Sequence, residues 1–121
     1  MKPLLHKDIP TFLERFCHFQ DGEIVQLSIL SPSELQLTLA TQDKARDFDW
    51  VHVVFTFFGI ENARLLENTQ LQLVDMSDGI SIISDSSRIG FAIGHYSHIT
   101  SLEDAVFYII AENIKYEDKT F

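Results

Sequence analysis

After Asp21-Gly22 the spacing of apolar residues drops from about 3.6 to about 2, and it stays short as far as Ile93. This switch constrains the fold more than any other feature. Apolar residues three or four apart share a face only on a helix, and alternate residues share one only on a strand. Before the switch, Ile9, Phe12, Leu13, Phe16 and Phe19 recur at helical spacing. Asp8 can cap that helix, and Pro10 is tolerated in its first turn. After it, Val25, Leu27 and Ile29 alternate with Gln26 and Ser28. Ser31-Pro32-Ser33-Glu34 offers a turn, and Leu35, Leu37 and Leu39 alternate with Gln36 and Thr38. This pattern predicts a hairpin with one buried and one wetter face.

Residues 42–49 are polar and read as a loop. Trp50 to Phe58 is apolar on both faces, which predicts a central strand covered on both sides. Residues 60–67 suit one or two helical turns. Leu71 and Leu73 alternate as a short strand, and Asp78-Gly79 offers a two-residue hairpin turn into Ile80 and Ile82. Asp85-Ser86-Ser87 makes another turn before Ile89, Phe91 and Ile93. The opposite face of that strand carries Gly90, Ala92 and Gly94, so an element, expected to be a helix, packs closely there. Thr100 with Glu103 reads as a capping box. Leu102, Ala105, Val106, Ile109, Ile110 and Ile114 then form a helical stripe, and Tyr116 to Phe121 is a charged tail. The expectation is an α+β fold: a single, mostly antiparallel sheet of about six strands, with an N-terminal and a C-terminal helix packed on it. The 121 residues suit one domain.

Nine basic residues oppose eighteen acidic ones, for a net charge of -9. No Lys or Arg occurs between Arg15 and Lys44, or between Arg64 and Arg88. Such a chain repels phosphate backbones, which argues against nucleic-acid binding; it would attract a basic protein, and the same acidic balance also serves solubility with no basic partner at all. Asp43, Asp47, Asp49, Asp75, Asp78 and Asp85, in or beside loops, are the candidate contact acids. Cys17 is the only cysteine, which excludes an intrachain disulfide and fits a reducing compartment. The N-terminus has no signal-peptide pattern, and no apolar run approaches the ~20 residues of a membrane-spanning helix. A cytoplasmic, non-membrane protein is expected.

Few residues invite chemistry. His95 and His98, with Glu103 nearby, are weak candidate metal ligands, because residues three apart on an extended chain face opposite ways. Cys17 and His18 are adjacent, so the imidazole is badly placed to activate the thiol. His52 lies in the most apolar strand and reads as a core or rim histidine. Asp75, Asp78 and Gly79 lack the ligand register of a calcium loop. The common nucleotide-binding, hydrolase and metalloprotease motifs are absent. The chain therefore reads as a non-enzyme without cofactors.

One stretch has a familiar layout. It runs from Phe16-Cys17-His18-Phe19-Gln20-Asp21 through the strands Ile24 to Ile29 and Leu35 to Leu39, and ends in Trp50 to Ile60. Residues 16–68 resemble small bacterial proteins of unknown or immunity type. Those show a His-Asp start, two short strands, and a strand ending in Phe-x-Gly-Val; here Phe58 stands between Phe57 and Gly59. The resemblance implies a protein that neutralises a toxin by binding it, and it implies no catalytic residues. A protein-binding module is thus the leading expectation. The alternatives are a small-molecule or metal-binding domain centred on His95 and His98, and a self-associating subunit such as a homodimer.

Overall fold

The structure is a computed structural model that describes residues 1–85 and 87–121. Its strands are β1 (Lys2–Pro3), β2 (Glu23–Ser31), β3 (Glu34–Asp43), β4 (Asp49–Arg64), β5 (Ile80–Ser84), β6 (Ile89–Ile93) and β7 (Tyr108–Thr120). They form one seven-stranded sheet in the order β2-β3-β4-β7-β6-β5, antiparallel throughout. β6 pairs with Tyr108 to Ala111 of β7, and β1 pairs farther along that edge, at Lys115 and Tyr116. The helices are short: α1 (Ile9–Arg15) and the single turn α2 (Asn68–Leu71).

The expected α+β arrangement with two packing helices is overturned. Of the residues assigned to a C-terminal helix, Ile109, Ile110 and Ile114 lie in strand β7, which pairs with β4 from Val51↔Thr120 to Arg64↔Tyr108. The cause is two-sided burial. Ile109 and Ala111 face the main core, while Tyr108 and Ile110 face a second cluster with Ala92, Ile99, Leu102 and Ala105. A strand buried on both faces is a continuous apolar run, and such a run contains helical spacings by default. The capping pair Thr100 and Glu103 yields only the 3-10 segment Ile99–Asp104, which ends where Ala105 turns extended. Two smaller expectations also fail. β4 continues through Arg64 where helical turns were expected, and Leu71 ends α2 where a strand was expected.

The main core is aromatic. Phe55 of β4 touches Phe12, Phe19, Phe57 and Phe91, with ring centroids 5.6 to 6.2 Å apart. Phe12 comes from α1 and Phe16 from its C-terminal cap, so the helix stripe read from the sequence closes the inner face of β3, β4 and β7. The outer face of β4 has no such cover. Val54 and Thr56 are buried among their neighbours, whereas Trp50 is exposed and His52 lies with its ring centroid 4.5 Å from that of Phe121. The small face of β6 does meet a close neighbour: an ideal Cβ on Gly90 would lie 2.2 Å from Leu102 Cδ1. The element packed there is the 3-10 segment, not a helix.

α1 ends at Arg15, and a left-handed turn follows. Cys17, His18 and Phe19 have φ of 57°, 55° and 58°. This turn touches β3 on one side and β5 on the other, so the sheet curls around it. Left-handed backbone costs roughly 1–2 kcal/mol per non-glycine residue. His18 is exposed and makes no side-chain hydrogen bond among the described residues. His18→Gly is therefore expected to raise stability by about 0.5–1 kcal/mol, after the larger chain entropy of unfolded glycine is deducted. Urea unfolding checks this, and a lower midpoint would assign the imidazole a stabilising contact.

Candidate functional site

Parts of the two stretches that lack Lys and Arg are far apart in sequence but fold side by side. Residues 22–25 of β2 and its approach face Leu71, Gln72, Val74 and Met76 across a cleft of about 480 Å³. Leu27 and Ile29 face Leu65, Leu66, Glu67 and Asn68 across a second cleft of about 430 Å³. Residues 65–76 thus run along the outer side of β2 and leave a groove beside it. The Asp21 N–H donates to the Met76 carbonyl at 2.9 Å, which fixes one end. The floor is apolar: Leu71 and Met76 are buried, and Leu27, Leu65, Leu66 and Val74 are half-buried. Val25 is 47% exposed, Ile29 69% and Leu30 53%, an apolar strip that a solvated edge strand ordinarily avoids.

Carboxylates edge this groove. Glu23 and Glu67 line the two clefts, and Asp21, Asp75 and Asp78 are exposed on the flanking turns. Most arginines elsewhere are occupied. Arg64 donates to the carbonyls of Glu103 and Ala105, and Arg88 pairs with Asp85 at 3.2 Å. The acids read from the sequence therefore part company. Asp75 and Asp78 belong to the groove surface, where backbone N–H donation from Ser77 holds the Asp75 carboxyl below its ordinary range. Asp47 in the β3–β4 loop and Asp49 at the start of β4 are exposed. Asp85 accepts from the Ser87 and Arg88 N–H groups, and these hydrogen bonds lower its pKa.

Asp43 is placed differently: its side chain is fully buried and engaged inside the molecule. Arg15 Nε donates to Oδ1 at 3.0 Å and Nη2 to Oδ2 at 2.8 Å, a bidentate pair between α1 and β3. The Ala45 N–H donates to Oδ1 at 2.9 Å. Arg46 Nη2 donates to Asp118 Oδ2 at 3.0 Å, which extends the network to β7. Asp43 organises the loop end of the sheet and is unavailable to a partner.

The metal candidates do not converge. His95 and His98 are exposed, Glu103 Oε1 accepts from Asn62 Nδ2 at 3.2 Å, and no three His, Cys, Asp or Glu side chains form a metal-sized group among the described residues. Cys17 is half-buried in the left-handed turn. One contact carried no sequence signal: His6 Nδ1 hydrogen-bonds Ser84 Oγ across an open cleft also lined by Glu61, Asp85, Arg88 and Glu112. No carboxylate orients the other His6 nitrogen among the described residues, so this pair lacks the third group that a hydrolytic site uses. No helix is long and apolar enough to cross a membrane among the described residues.

The chain matches no protein-family model, no curated protein and no solved structure. Function therefore rests on this geometry and on the sequence.

Proposed function

We propose that this chain is a protein-binding module that associates stoichiometrically with a basic protein. The immunity-type resemblance of residues 16–68 makes toxin neutralisation the specific reading. One observation carries the proposal. Residues 22–29 and 65–76, parts of the two cation-free stretches, come together on one side of the molecule, where exposed carboxylates surround an exposed apolar strip. Apolar area supplies the affinity of such an interface, while one-signed charge around it accelerates encounter with a partner of opposite charge and selects against others.

Capture of partners from a lysate of the source cells tests this, with wild type compared to a Glu23→Lys, Glu67→Lys, Asp75→Lys triple variant. At low salt the wild type should retain one dominant basic protein. The variant should retain roughly tenfold less of it, and raised salt should narrow the difference. Expression of that protein should arrest growth, and co-expression of this chain should restore it. Capture that is equal between the two chains at low salt refutes the charge reading. Rescue of growth without physical association refutes neutralisation by binding.

A further inference from the structure

We propose that an extended, basic segment of the partner adds as a strand to the outer edge of β2 and lies in the groove between β2 and residues 65–76. This rests on the protein-binding reading and specifies its mode. β2 is the terminal strand of the sheet and pairs only with β3, in regular register from Gln26↔Thr38 to Ile29↔Leu35. Alternate N–H and C=O groups along that stretch point away from β3. Among the described residues, no backbone hydrogen bond outside the sheet reaches residues 23–31. The sequence there is Val25-Gln26-Leu27-Ser28-Ile29-Leu30, with no charge between Glu23 and Glu34 and no proline before Pro32. Exposed edges are normally protected by lysine, proline or an inward charge, and this one has none of these along its regular register.

The groove makes the edge a receptor as well as a template. A strand laid against β2 directs alternate side chains toward Leu27, Leu65, Leu66 and Val74 and the others toward solvent. Main-chain pairing then supplies affinity and the apolar clefts supply selection. Charge specifies the occupant. Glu23 and Glu67 line the clefts and no cation lies in either bordering stretch, so a segment with lysine or arginine beside its apolar positions is complementary. A second copy of the chain carries the same acids and the same net charge of -9, which disfavours the homodimer at this edge.

The probe is a synthetic peptide of alternating valine and lysine, about nine residues long. It is titrated into the isotopically labelled chain at low salt. Amide shifts should concentrate in Glu23–Ser31 and in residues 65–76, and hydrogen exchange of the outward β2 amides should slow. Methylation of alternate backbone nitrogens of the peptide should weaken binding by roughly tenfold or more, because it deletes main-chain donors without altering charge. Ile29→Lys, at an exposed position, should weaken it comparably, whereas Glu112→Lys, outside the groove, should not. Absence of shifts in β2 at millimolar peptide overturns the proposal. Equal binding of the methylated peptide also overturns it, leaving charge attraction alone. If the partner is still captured in a charge-dependent way while the peptide misses β2, the edge-pairing mode falls and the binding function stands.

Discussion

Gly79→Ala is expected to destabilise the fold by about 3 kcal/mol, roughly 10 °C in melting temperature for a domain of this size. Two causes add. Gly79 has φ of +72°, where an alanine pays about 1 kcal/mol or more in backbone strain. Its ideal Cβ would also lie 2.0 Å from the His18 carbonyl oxygen and 3.2 Å from the Gln20 nitrogen. Both neighbours are backbone, so no rotamer change relieves the overlap, and the turn at residues 17–22 must separate from the start of β5. The Gly79 N–H also donates to the Met76 carbonyl, and its own carbonyl accepts from Gly94, so the shift cannot stay local. Gly90→Ala is the comparison. There the obstacle is the far end of the Leu102 side chain, and a smaller loss is expected. Urea unfolding of both variants decides, and a Gly79→Ala midpoint equal to wild type would refute the close approach of these two segments.

Gly79 also illustrates how far the sequence could be read. Asp78-Gly79 was legible as a turn that requires a positive φ, but the two strands it was expected to join do not exist as a hairpin. Leu71 belongs to α2, and Gly79 instead fits against a turn some sixty residues earlier in the chain. Local alternation was informative at β3, where Leu35, Leu37 and Leu39 are core, and one of the two apolar faces read at Trp50 to Phe58, with Val53, Phe55 and Phe57, is core as well. It failed at β7, where both faces are dry and the apolar run no longer distinguishes strand from helix. It was also incomplete at β2. A register shift between Ile24 and Gln26 turns Val25 outward, so a residue that reads as core belongs to the exposed strip. The cation-free stretches were visible one at a time. That they form one surface depends on how residues 65–76 return along β2, and nothing local encodes it.

Asp43→Ala is expected to cost about 3 kcal/mol, even though surface aspartates of this chain should tolerate the change with little effect. Removal of the carboxylate leaves Arg15 and Arg46 facing each other and deprives the Ala45 N–H of its acceptor. The magnitude is less than for a fully enclosed ion pair, since both guanidinium groups retain access to water. The same network predicts a pH dependence. The hydrogen bond from Arg15 is the main cause that holds the folded-state pKa of Asp43 below its ordinary value of 3.8, and the Ala45 N–H and the Arg15 and Arg46 charges add to it against the opposing effect of burial. Between the folded and unfolded values the unfolded chain binds more protons, so stability rises with pH through that window. The contribution is complete above about pH 4 to 5 and is lost as pH falls through the folded-state value. Urea midpoints of wild type and Asp43→Asn, measured from neutral pH down to about pH 3, should converge in acid and diverge above it. A constant gap across that range would mean that Asp43 acts through its shape and hydrogen bonds rather than through its charge.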